Sequence, residues 1–198
     1  MKATPEKKKH HRLLIVDDDQ ALRLLFSIAL ESADFQSDCA SGGEEALELL
    51  AQNRYDLVLL DLRMPNVSGL DVLARMRERG DFTKVIVVSA FVPGAAVLRA
   101  ASLGVTIFLG KPVTAQFLRD TVHQMLNPEV CSDFDRARQY AGRLDFESAY
   151  QALAGEKDTG DPKKSLWVEL FRALATNGGR EGLRRLEGPS ERLVTFQF

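Results

Sequence analysis

Residues 57–69 read LVLLDLRMPNVSG, a run of four apolar residues that ends in Asp61 and continues into a turn. A continuous apolar run of this length favours a strand that is buried on both faces, as in a parallel sheet covered by helices. Asp61 then stands at the carboxyl end of a predicted strand, the edge at which open α/β sheets bind their ligands. This segment therefore predicts both the fold class and the place of a site.

The same arrangement recurs along the first two thirds of the chain. Further short runs stand at 13–16 (LLIV), 35–40 (FQSDCA), 85–88 (VIVV) and 107–109 (IFL). Each is followed by a segment with apolar residues at spacings of three and four, which is typical of a helix with one buried face. Five strand–helix units within residues 12–127 predict a doubly wound α/β sheet.

Local signals mark where the predicted helices begin and end. Four helices are predicted to begin at polar residues, which are Asp19 or Gln20, Ser41, Ser68 and Thr114. Glu44 follows Ser41 by three residues, which predicts a capping box at that helix. Helix ends are predicted near Gly80 and Gly104, because glycine is preferred just past a helix.

The pattern changes after residue 127. Segments of helical period follow, DFDRARQYAGRL, FESAYQALAG, KKSLWVELFRALAT and GREGLRRLEG, and a β-like run returns only as LVTFQF at the end. The turns between them are rich in glycine and in aspartate. Residues 128–198 are therefore predicted to form a small all-α module.

Composition limits the class of protein. A chain of 198 residues with 45% hydrophobic and 27% charged residues is expected to fold as one ordinary domain with a smaller companion. The net charge of −2 gives no general attraction to nucleic acid, which makes nucleic acid an unexpected partner. No apolar stretch approaches the ~20 residues that a membrane-spanning helix needs, so no membrane association is expected.

The N-terminus and the cysteines predict a location. Residues 1–11 are basic and are expected to form a flexible, solvated arm, because the apolar run after them is too short for a signal peptide. Cys39 and Cys131 are too few for a disulfide framework. A cytoplasmic location is therefore expected.

Polar side chains follow four of the five predicted strands. They are Asp17, Asp18 and Asp19 after the first, Asp61 after the third, Ser89 after the fourth and Lys111 after the fifth. Clustered carboxylates repel one another unless a cation lies among them, and carboxylate oxygens are ligands of Mg²⁺. An ammonium and a hydroxyl beside such a site could bind phosphoryl oxygens, and a carboxylate can itself be the nucleophile.

Four motifs in order resemble the receiver domain of two-component response regulators. They are VDDDQALR, DLVLLDLRMPNVSGLDVL, VIVVSA and FLGKP, and the resemblance covers residues of about 12–127. The intervals of 43 residues from Asp18 to Asp61, 28 to Ser89 and 22 to Lys111 are similar to those of the family. The resemblance implies a flavodoxin-like (βα)5 sheet with strand order 2-1-3-4-5, an order for which a receiver is a standard example.

The resemblance also implies roles for individual residues in phosphoryl transfer. Asp61 falls on the phosphoacceptor, Lys111 on the phosphate-binding lysine and Ser89 on the hydroxyl that moves toward the phosphate. Phe108 falls on the aromatic residue that repacks with that hydroxyl, so Ser89 and Phe108 would form the switch. Pro112 would follow a cis peptide bond, as in the family.

The metal site implied by the resemblance binds Mg²⁺. Asp18 and Asp61 would bind it directly with the backbone carbonyl of Arg63, and Asp17 would bind through water. Asp19 is expected to cap the first helix instead. The chain would be a phosphoacceptor, with at most self-catalysed phosphorylation and dephosphorylation, and not otherwise an enzyme.

The helical module gives a second resemblance. GRLDFESAYQAL and SLWVELFRAL are similar to tetratricopeptide repeats, with room for at most one and a half repeats, and a generic helical hairpin docked on the receiver is the alternative. Trp167, Leu170, Phe171 and Leu174 form one apolar stripe and are expected to be core.

The expected function is a phosphorelay switch. A sensor histidine kinase or phosphotransfer protein would phosphorylate Asp61, and the output would be contact with another protein through residues of about 94–127 or through the helical module. A homodimer through residues 94–127 is also possible. The alternatives are a transcriptional regulator with an atypical output domain and a phosphohydrolase of the haloacid-dehalogenase type. The hydrolase would use Asp17 and Asp19 but requires a further acidic pair after the lysine.

Overall fold

The computed structural model describes residues 10–32, 34–90, 93–126, 133–154 and 162–176. Five strands lie within these ranges: β1 (His11–Val16), β2 (Phe35–Ala40), β3 (Leu57–Leu60), β4 (Lys84–Ser89) and β5 (Ile107–Gly110). Five helices alternate with them: α1 (Gln20–Leu30), α2 (Gly43–Gln52), α3 (Gly69–Glu78), α4 (Gly94–Ser102) and α5 (Ala115–Leu126). Three helices follow: α6 (Asp133–Gly142), α7 (Phe146–Ala154) and α8 (Pro162–Ala175).

The strands form one parallel sheet in the order β2-β1-β3-β4-β5. This order confirms the predicted flavodoxin-like topology, and each predicted strand agrees with an observed one to within two residues at either end. Parallel neighbours need a crossover connection, which the intervening helices provide on both faces of the sheet.

The apolar runs are continuous because the two faces of the sheet bury alternate residues of each strand. In β3, Leu57 and Leu59 pack with α1 and α5 on one face, whereas Val58 and Leu60 pack with α2, α3 and α4 on the other. All four side chains are at most 1% exposed. The edge strand β2 departs from this pattern, since its middle residues are polar and partly exposed, as expected of an edge.

Three of the four predicted helix starts are confirmed. Asp19 caps α1, Ser68 forms a reciprocal capping box with Asp71 at α3, and α5 begins after Thr114. The prediction for α2 was wrong. Its N-cap is Gly42, and Ser41 bonds to Glu45 rather than Glu44, because the helix begins one residue later than predicted. Gly80 and Gly104 follow helices with positive φ, as predicted.

The predicted N-terminal arm was one residue too long. His11 pairs with Phe35 at the start of β1 and is 8% exposed, with its ring 6.0 Å from that of Phe35. The register of the sheet places His11 beside Phe35, which is itself buried. His10 is exposed, and residues 1–9 of the predicted arm lie outside the described residues.

The C-terminal helices α6, α7 and α8 confirm the helical character predicted for residues 133–154 and 162–175. The stripe of Trp167, Leu170, Phe171 and Leu174 is buried, as expected of core. The rings of Trp167 and Phe171 lie 5.2 Å apart. The resemblance to tetratricopeptide repeats stays a prediction, and the predicted boundary after residue 127, the helix GREGLRRLEG and the run LVTFQF lie outside the described residues.

The C-terminal helices lie against the receiver part at Gly104. A Cβ added to Gly104 would lie 2.8 Å from the carbonyl oxygen of Ala141 in α6, so only glycine permits this approach. Its φ of 84° also favours glycine. The buried residues of α6, α7 and α8 form one continuous apolar cluster with those beneath α2, α3 and α4. In the described ranges, no helix combines the length and the apolar character that crossing a bilayer requires.

Candidate functional site

Backbone pairing brings the polar residues after β1 and β3 together. Val16 pairs with Leu60 in the register of these strands, and the amide of Asp61 donates to the carbonyl of Val16 at 2.9 Å. Asp17 and Asp61, one residue beyond that pair, therefore leave the sheet side by side. On the other side of β3, Ser89 pairs with Gly110, and the amide of Lys111 donates to the carbonyl of Ser89 at 3.0 Å.

The side chains of these residues meet at the carboxyl end of the sheet. The Nζ of Lys111 lies 2.6 Å from Oδ2 of Asp17 and 2.5 Å from Oδ2 of Asp61. The hydroxyl of Ser89 donates to Oδ1 of Asp61 at 2.7 Å. Four residues that span 94 positions of sequence, predicted from separate motifs, thus form one hydrogen-bonded group.

Backbone amides also donate to the carboxylates of Asp17 and Asp61, and in Asp61 the amide shares Oδ1 with the Ser89 hydroxyl. The amide of Asp19 donates to Oδ1 of Asp17 at 3.0 Å, and the amide of Arg63 donates to Oδ1 of Asp61 at 2.9 Å. Both bonds arise from the turn that follows the strand, two residues after the carboxylate. Such bonds fix the orientation of the carboxylates and stabilise their charged form.

Burial and hydrogen bonding change the pKa values of Asp17 and Lys111. Asp17 is 2% exposed and Asp61 is 6% exposed. Burial raises the pKa of Asp17 above its ordinary value, although the hydrogen bond from Lys111 opposes that change. Burial alone would lower the pKa of Lys111, but the hydrogen bonds to Asp17 and Asp61 outweigh it and hold that pKa above its ordinary value.

The acidic residues have the geometry of a cation site. Asp17, Asp18 and Asp61 each offer a carboxylate oxygen, and these oxygens lie within 4.8 Å of one another. Three ionised carboxylates and the one ammonium beside them sum to two negative charges, which one divalent cation would balance. Asp18 is exposed, so a cation here would keep contact with water, as Mg²⁺ does in proteins. The donor set therefore fits Mg²⁺.

A glycine allows the turn after Asp61 to close. A Cβ on Gly69 would lie 2.1 Å from the carbonyl oxygen of Asp61, and the amide of Gly69 donates to the carbonyl of Leu62 at 3.1 Å. The first residue of α3 thus packs directly on the backbone of the candidate site. Any larger residue would have to displace that backbone.

The other predicted site residues lie near this group. Phe108 is 3% exposed and packs in the apolar cluster on the side of α2, α3 and α4. The peptide bond between Lys111 and Pro112 is cis, as the resemblance implied. The carboxylate of Asp19 accepts from the amides of Ala21 and Leu22, so Asp19 is a helix cap, as predicted.

Arg23 is a neighbour of the site that the sequence analysis did not identify. Its Nη1 donates to the backbone carbonyl of Asp17 at 2.7 Å, which ties α1 to the turn after β1. Its position one turn into α1, after the Asp19 cap, was the available signal. A single arginine on a predicted helix is, however, usually a solvated side chain.

Comparison with known proteins identifies the family. The family model of the response regulator receiver domain matches residues 13–123. The sensory/regulatory protein RpfC of Xanthomonas campestris is 37% identical over 107 residues, which cover 52% of this chain and 15% of that protein. Sporulation initiation phosphotransferase F of Bacillus subtilis is 30% identical over 53% of this chain and 85% of its own. The matched segment therefore spans only a small part of RpfC, whereas it spans most of phosphotransferase F.

Solved structures agree with this assignment. Chemotaxis protein CheY4 of Vibrio cholerae has a TM-score of 0.55 and 25% identity, covering 58% of this chain and 98% of that one. Response regulator TrrA of Thermotoga maritima, solved in complex with Mg²⁺ and BeF, has a TM-score of 0.50 and 30% identity, covering 58% and 97%. Receiver domains bind Mg²⁺ at an acidic pocket of the kind found here. The chain therefore belongs to the response regulator receiver family.

Proposed function

We propose that Asp61 is the residue that accepts the phosphoryl group. The observation that carries this proposal is that Lys111 and Ser89 bind different oxygens of the Asp61 carboxylate. An oxygen of Asp61 would form a P–O bond while the P–N bond of a donor phosphohistidine breaks. The departing imidazole keeps the electron pair of that bond and takes up a proton.

Lys111 and Ser89 would also bind the phosphoryl group after its transfer. The ammonium and the hydroxyl that now bind the carboxylate are placed to bind the phosphoryl oxygens once Asp61 has become an acyl phosphate, and this stabilises the charge on those oxygens. Asp18 and Asp61, with the backbone carbonyl of Arg63, would hold Mg²⁺ directly, and Asp17 would hold it through water. Bound there, Mg²⁺ would neutralise charge on the phosphoryl oxygens.

Ser89 and Phe108 form the proposed switch. Both are buried, and they lie on the neighbouring strands β4 and β5. If the Ser89 hydroxyl turns from the carboxylate to the phosphoryl group, the space around Phe108 changes, and so does the surface of α4, β5 and α5. A phosphoryl group would in this way bias a two-state surface within residues 94–127.

We propose that the phosphodonor is a sensor histidine kinase or a phosphotransfer protein that contacts α1. Leu24, Leu25 and Ile28 are 61%, 46% and 60% exposed on this helix. The helix begins at the Asp19 cap, directly after the acidic residues, so a donor that reaches Asp61 must lie beside this apolar face. Apolar groups exposed together favour protein contact.

The output proposed is contact with another protein, through residues 94–127 or through the C-terminal helices. Phe117 on α5 is 43% exposed and suits such a contact or a homodimer. The division into an N-terminal arm, a receiver and a helical module (128–198) remains part of this proposal, with the boundary between the arm and the receiver moved from residue 11 to residue 10 because His11 belongs to β1. So does a cytoplasmic location, with which the free, exposed Cys39 agrees.

Two alternatives follow from particular observations. A protein of Haloferax volcanii described as a putative transcriptional regulator is 36% identical over 73% of this chain and 29% of its own length, which favours an atypical transcriptional regulator. A mobility shift at stated salt concentration tests this. The haloacid-dehalogenase alternative would use Asp17 and Asp19, but the Asp19 carboxylate caps α1.

Phosphorylation with acetyl phosphate and Mg²⁺, followed by mass spectrometry, tests the acceptor. In wild-type protein the added phosphoryl group is expected on Asp61, and chelation of Mg²⁺ should abolish it. Asp61→Asn should fold and show no label, because an amide oxygen cannot form the acyl phosphate. Asp120→Asn, on the exposed face of α5, is the matched control and should label normally. Label on Asp17, or wild-type labelling of Asp61→Asn, would refute the assignment.

A further inference from the structure

The exposed member of the acidic group is Asp18, in the turn between β1 and α1. One of its carboxylate oxygens lies within 4.8 Å of oxygens of Asp17 and Asp61. Lys111 pairs with those two carboxylates, whereas within the described ranges no ion pair holds the carboxylate of Asp18. Because like charges repel, the backbone has to place Asp18 beside this pair.

The peptide groups on both sides of Asp18 are held by side chains. The amide of Asp19 donates to Oδ1 of Asp17 at 3.0 Å, which fixes the peptide after Asp18. The carbonyl of Asp17 accepts from Nη1 of Arg23 at 2.7 Å, which fixes the peptide before it. The position of Asp18 therefore depends on one bond within the turn and on one bond from α1.

Helix α1 places Arg23 for this bond. The Asp19 carboxylate caps the helix, and the amide of Arg23 donates to the carbonyl of Asp19 at 3.0 Å in the first helical turn. Side chains on a helix lean toward its amino-terminal end, so the half-buried side chain of Arg23 extends back over that turn. The cap and the arginine thus act together on the turn that carries Asp18.

Arg23 also brings a positive charge to the carboxyl end of the sheet. Burial raises the pKa of Cys39, near the end of β2, and the charge of Arg23 opposes that change. A fixed positive charge beside the acidic group repels a cation, so on electrostatic grounds alone the arginine is unfavourable for Mg²⁺ binding. Any favourable contribution of Arg23 to binding must therefore come from the geometry that its hydrogen bond imposes.

We propose that Arg23 is a positioning residue of the Mg²⁺ site, which holds the peptide between Asp17 and Asp18 so that Asp18 stays beside Asp61. This role depends on the assignment of Mg²⁺ to the acidic group. Without the bond, the turn after β1 would gain conformations in which Asp18 lies farther from the other carboxylates. Mg²⁺ would then have to order the turn as it binds, and its affinity would fall.

The test is an NMR titration of the full chain with magnesium chloride. Arg23→Met removes the bond to the Asp17 carbonyl and is expected to weaken Mg²⁺ binding roughly tenfold, as loss of a residue that orients a metal ligand does. The charge lost in the same variant acts in the opposite direction, because its removal relieves repulsion of the cation. A weaker affinity therefore reports the geometry and not the charge.

Two further variants serve as controls. Arg23→Lys keeps the charge and a donor on a shorter side chain, and it should restore part of the affinity that Arg23→Met loses. Arg75→Met removes an exposed charge in the last turn of α3, and it should bind Mg²⁺ as wild type does. Circular dichroism and thermal unfolding in the presence of a chelator check that each variant is folded.

A second measurement needs no metal. In a chelator, Arg23→Met should shift the amide resonances of Asp18 and Asp19, because the turn is no longer tied to α1. The amide resonance of Ser89, which belongs to β4, should shift much less. Arg75→Met should leave all three resonances unchanged.

The outcomes separate the role of Arg23 from the metal site itself. Absence of Mg²⁺ binding in the wild-type protein would refute both the site and the role of Arg23. Wild-type binding together with equal or tighter binding in folded Arg23→Met would refute the role and leave the site. A tenfold loss that Arg23→Lys partly restores and that Arg75→Met does not share would support the role.

Discussion

At the carboxyl end of the sheet the ammonium of Lys111 lies between the carboxylates of Asp17 and Asp61, whereas at the amino end the guanidinium of Arg77 lies among backbone carbonyls. Both ends contain a buried charge. Lys111 is held by two ion pairs, and Arg77 is held by carbonyl oxygens alone. The two ends therefore differ in how a buried cation is compensated.

The two buried cations therefore have different roles. At the carboxyl end, the surplus of negative charge attracts a divalent cation, and the site built from Asp17, Asp18 and Asp61 fits Mg²⁺. At the amino end, Arg77 joins backbone segments by donating to the carbonyls of Leu103, Asp81 and Thr83. One parallel sheet supports both arrangements, because residues after a strand and residues before the next one lie at opposite ends.

The largest effect is expected from removing the two buried cations. Lys111→Met leaves Asp17 and Asp61 facing each other unpaired and should lower the free energy of unfolding by about 3–5 kcal/mol in the absence of Mg²⁺. Addition of Mg²⁺ should restore most of this loss, because the cation replaces the ammonium between the carboxylates. Urea unfolding with Mg²⁺ and with a chelator measures both quantities.

Arg77→Met is the counterpart at the other end. It leaves carbonyls of Leu103, Asp81 and Thr83 without their donor and should cost about 1–3 kcal/mol. Mg²⁺ should restore none of this loss. If both variants recovered stability equally with Mg²⁺, the contrast between the two ends would be refuted.

Two glycines test the packing of the same ends. Gly104→Ala should lower the free energy of unfolding by about 1–3 kcal/mol, because its Cβ would meet Ala141 at 2.8 Å and its φ is 84°. Gly110→Ala at the carboxyl end meets nothing within 4 Å and is the matched control. Thermal unfolding of both variants measures the difference. Equal losses of stability in the two variants would contradict the inference that the close approach of α6 requires glycine at position 104.

The smallest effect concerns a carboxylate at the carboxyl end that lies outside the acidic group. Hydrogen bonds from the side chain and the backbone of Ser68 lower the pKa of Asp71 below 3.8. Because the folded pKa is depressed, this stabilisation is complete above pH 3.8 and is lost as the pH falls through the folded value. Ser68→Ala should cost about 1 kcal/mol at neutral pH, as loss of a helix cap does.

Urea unfolding of Ser68→Ala from neutral pH to below 3.8 checks the sign. The deficit relative to wild type should shrink on acidification. Ser102→Ala, which removes only a hydroxyl bonded to the Arg99 carbonyl, is the control and should show no such trend. A deficit that grew in acid would contradict the assignment of the capping box.

Most of the sheet and the acidic site could be predicted from sequence because their signals are local. The apolar runs mark strands with two buried faces. Asp17, Asp61 and Ser89 each follow such a run directly, and Lys111 follows its run after Gly110. Parallel pairing then brings strand ends to one edge without further information. This is why four separate motifs converged as expected.

Other features could not be predicted because they depend on distant partners. Ser41 has a good capping pattern, yet packing begins α2 one residue later and leaves Gly42 as the cap. His11 reads as part of a solvated arm, but the register with Phe35 buries it. Each feature depends on a contact with a residue that the local sequence does not indicate.

Short-range patterns in the sequence suffice to predict the five strand–helix units, the acids at the carboxyl edge and the family to which the chain belongs. The approach of α6 to Gly104 and the bond from Arg77 to the Leu103 carbonyl follow from the tertiary fold alone. Both depend on the packing of residues far apart in the chain, and no local periodicity encodes that packing.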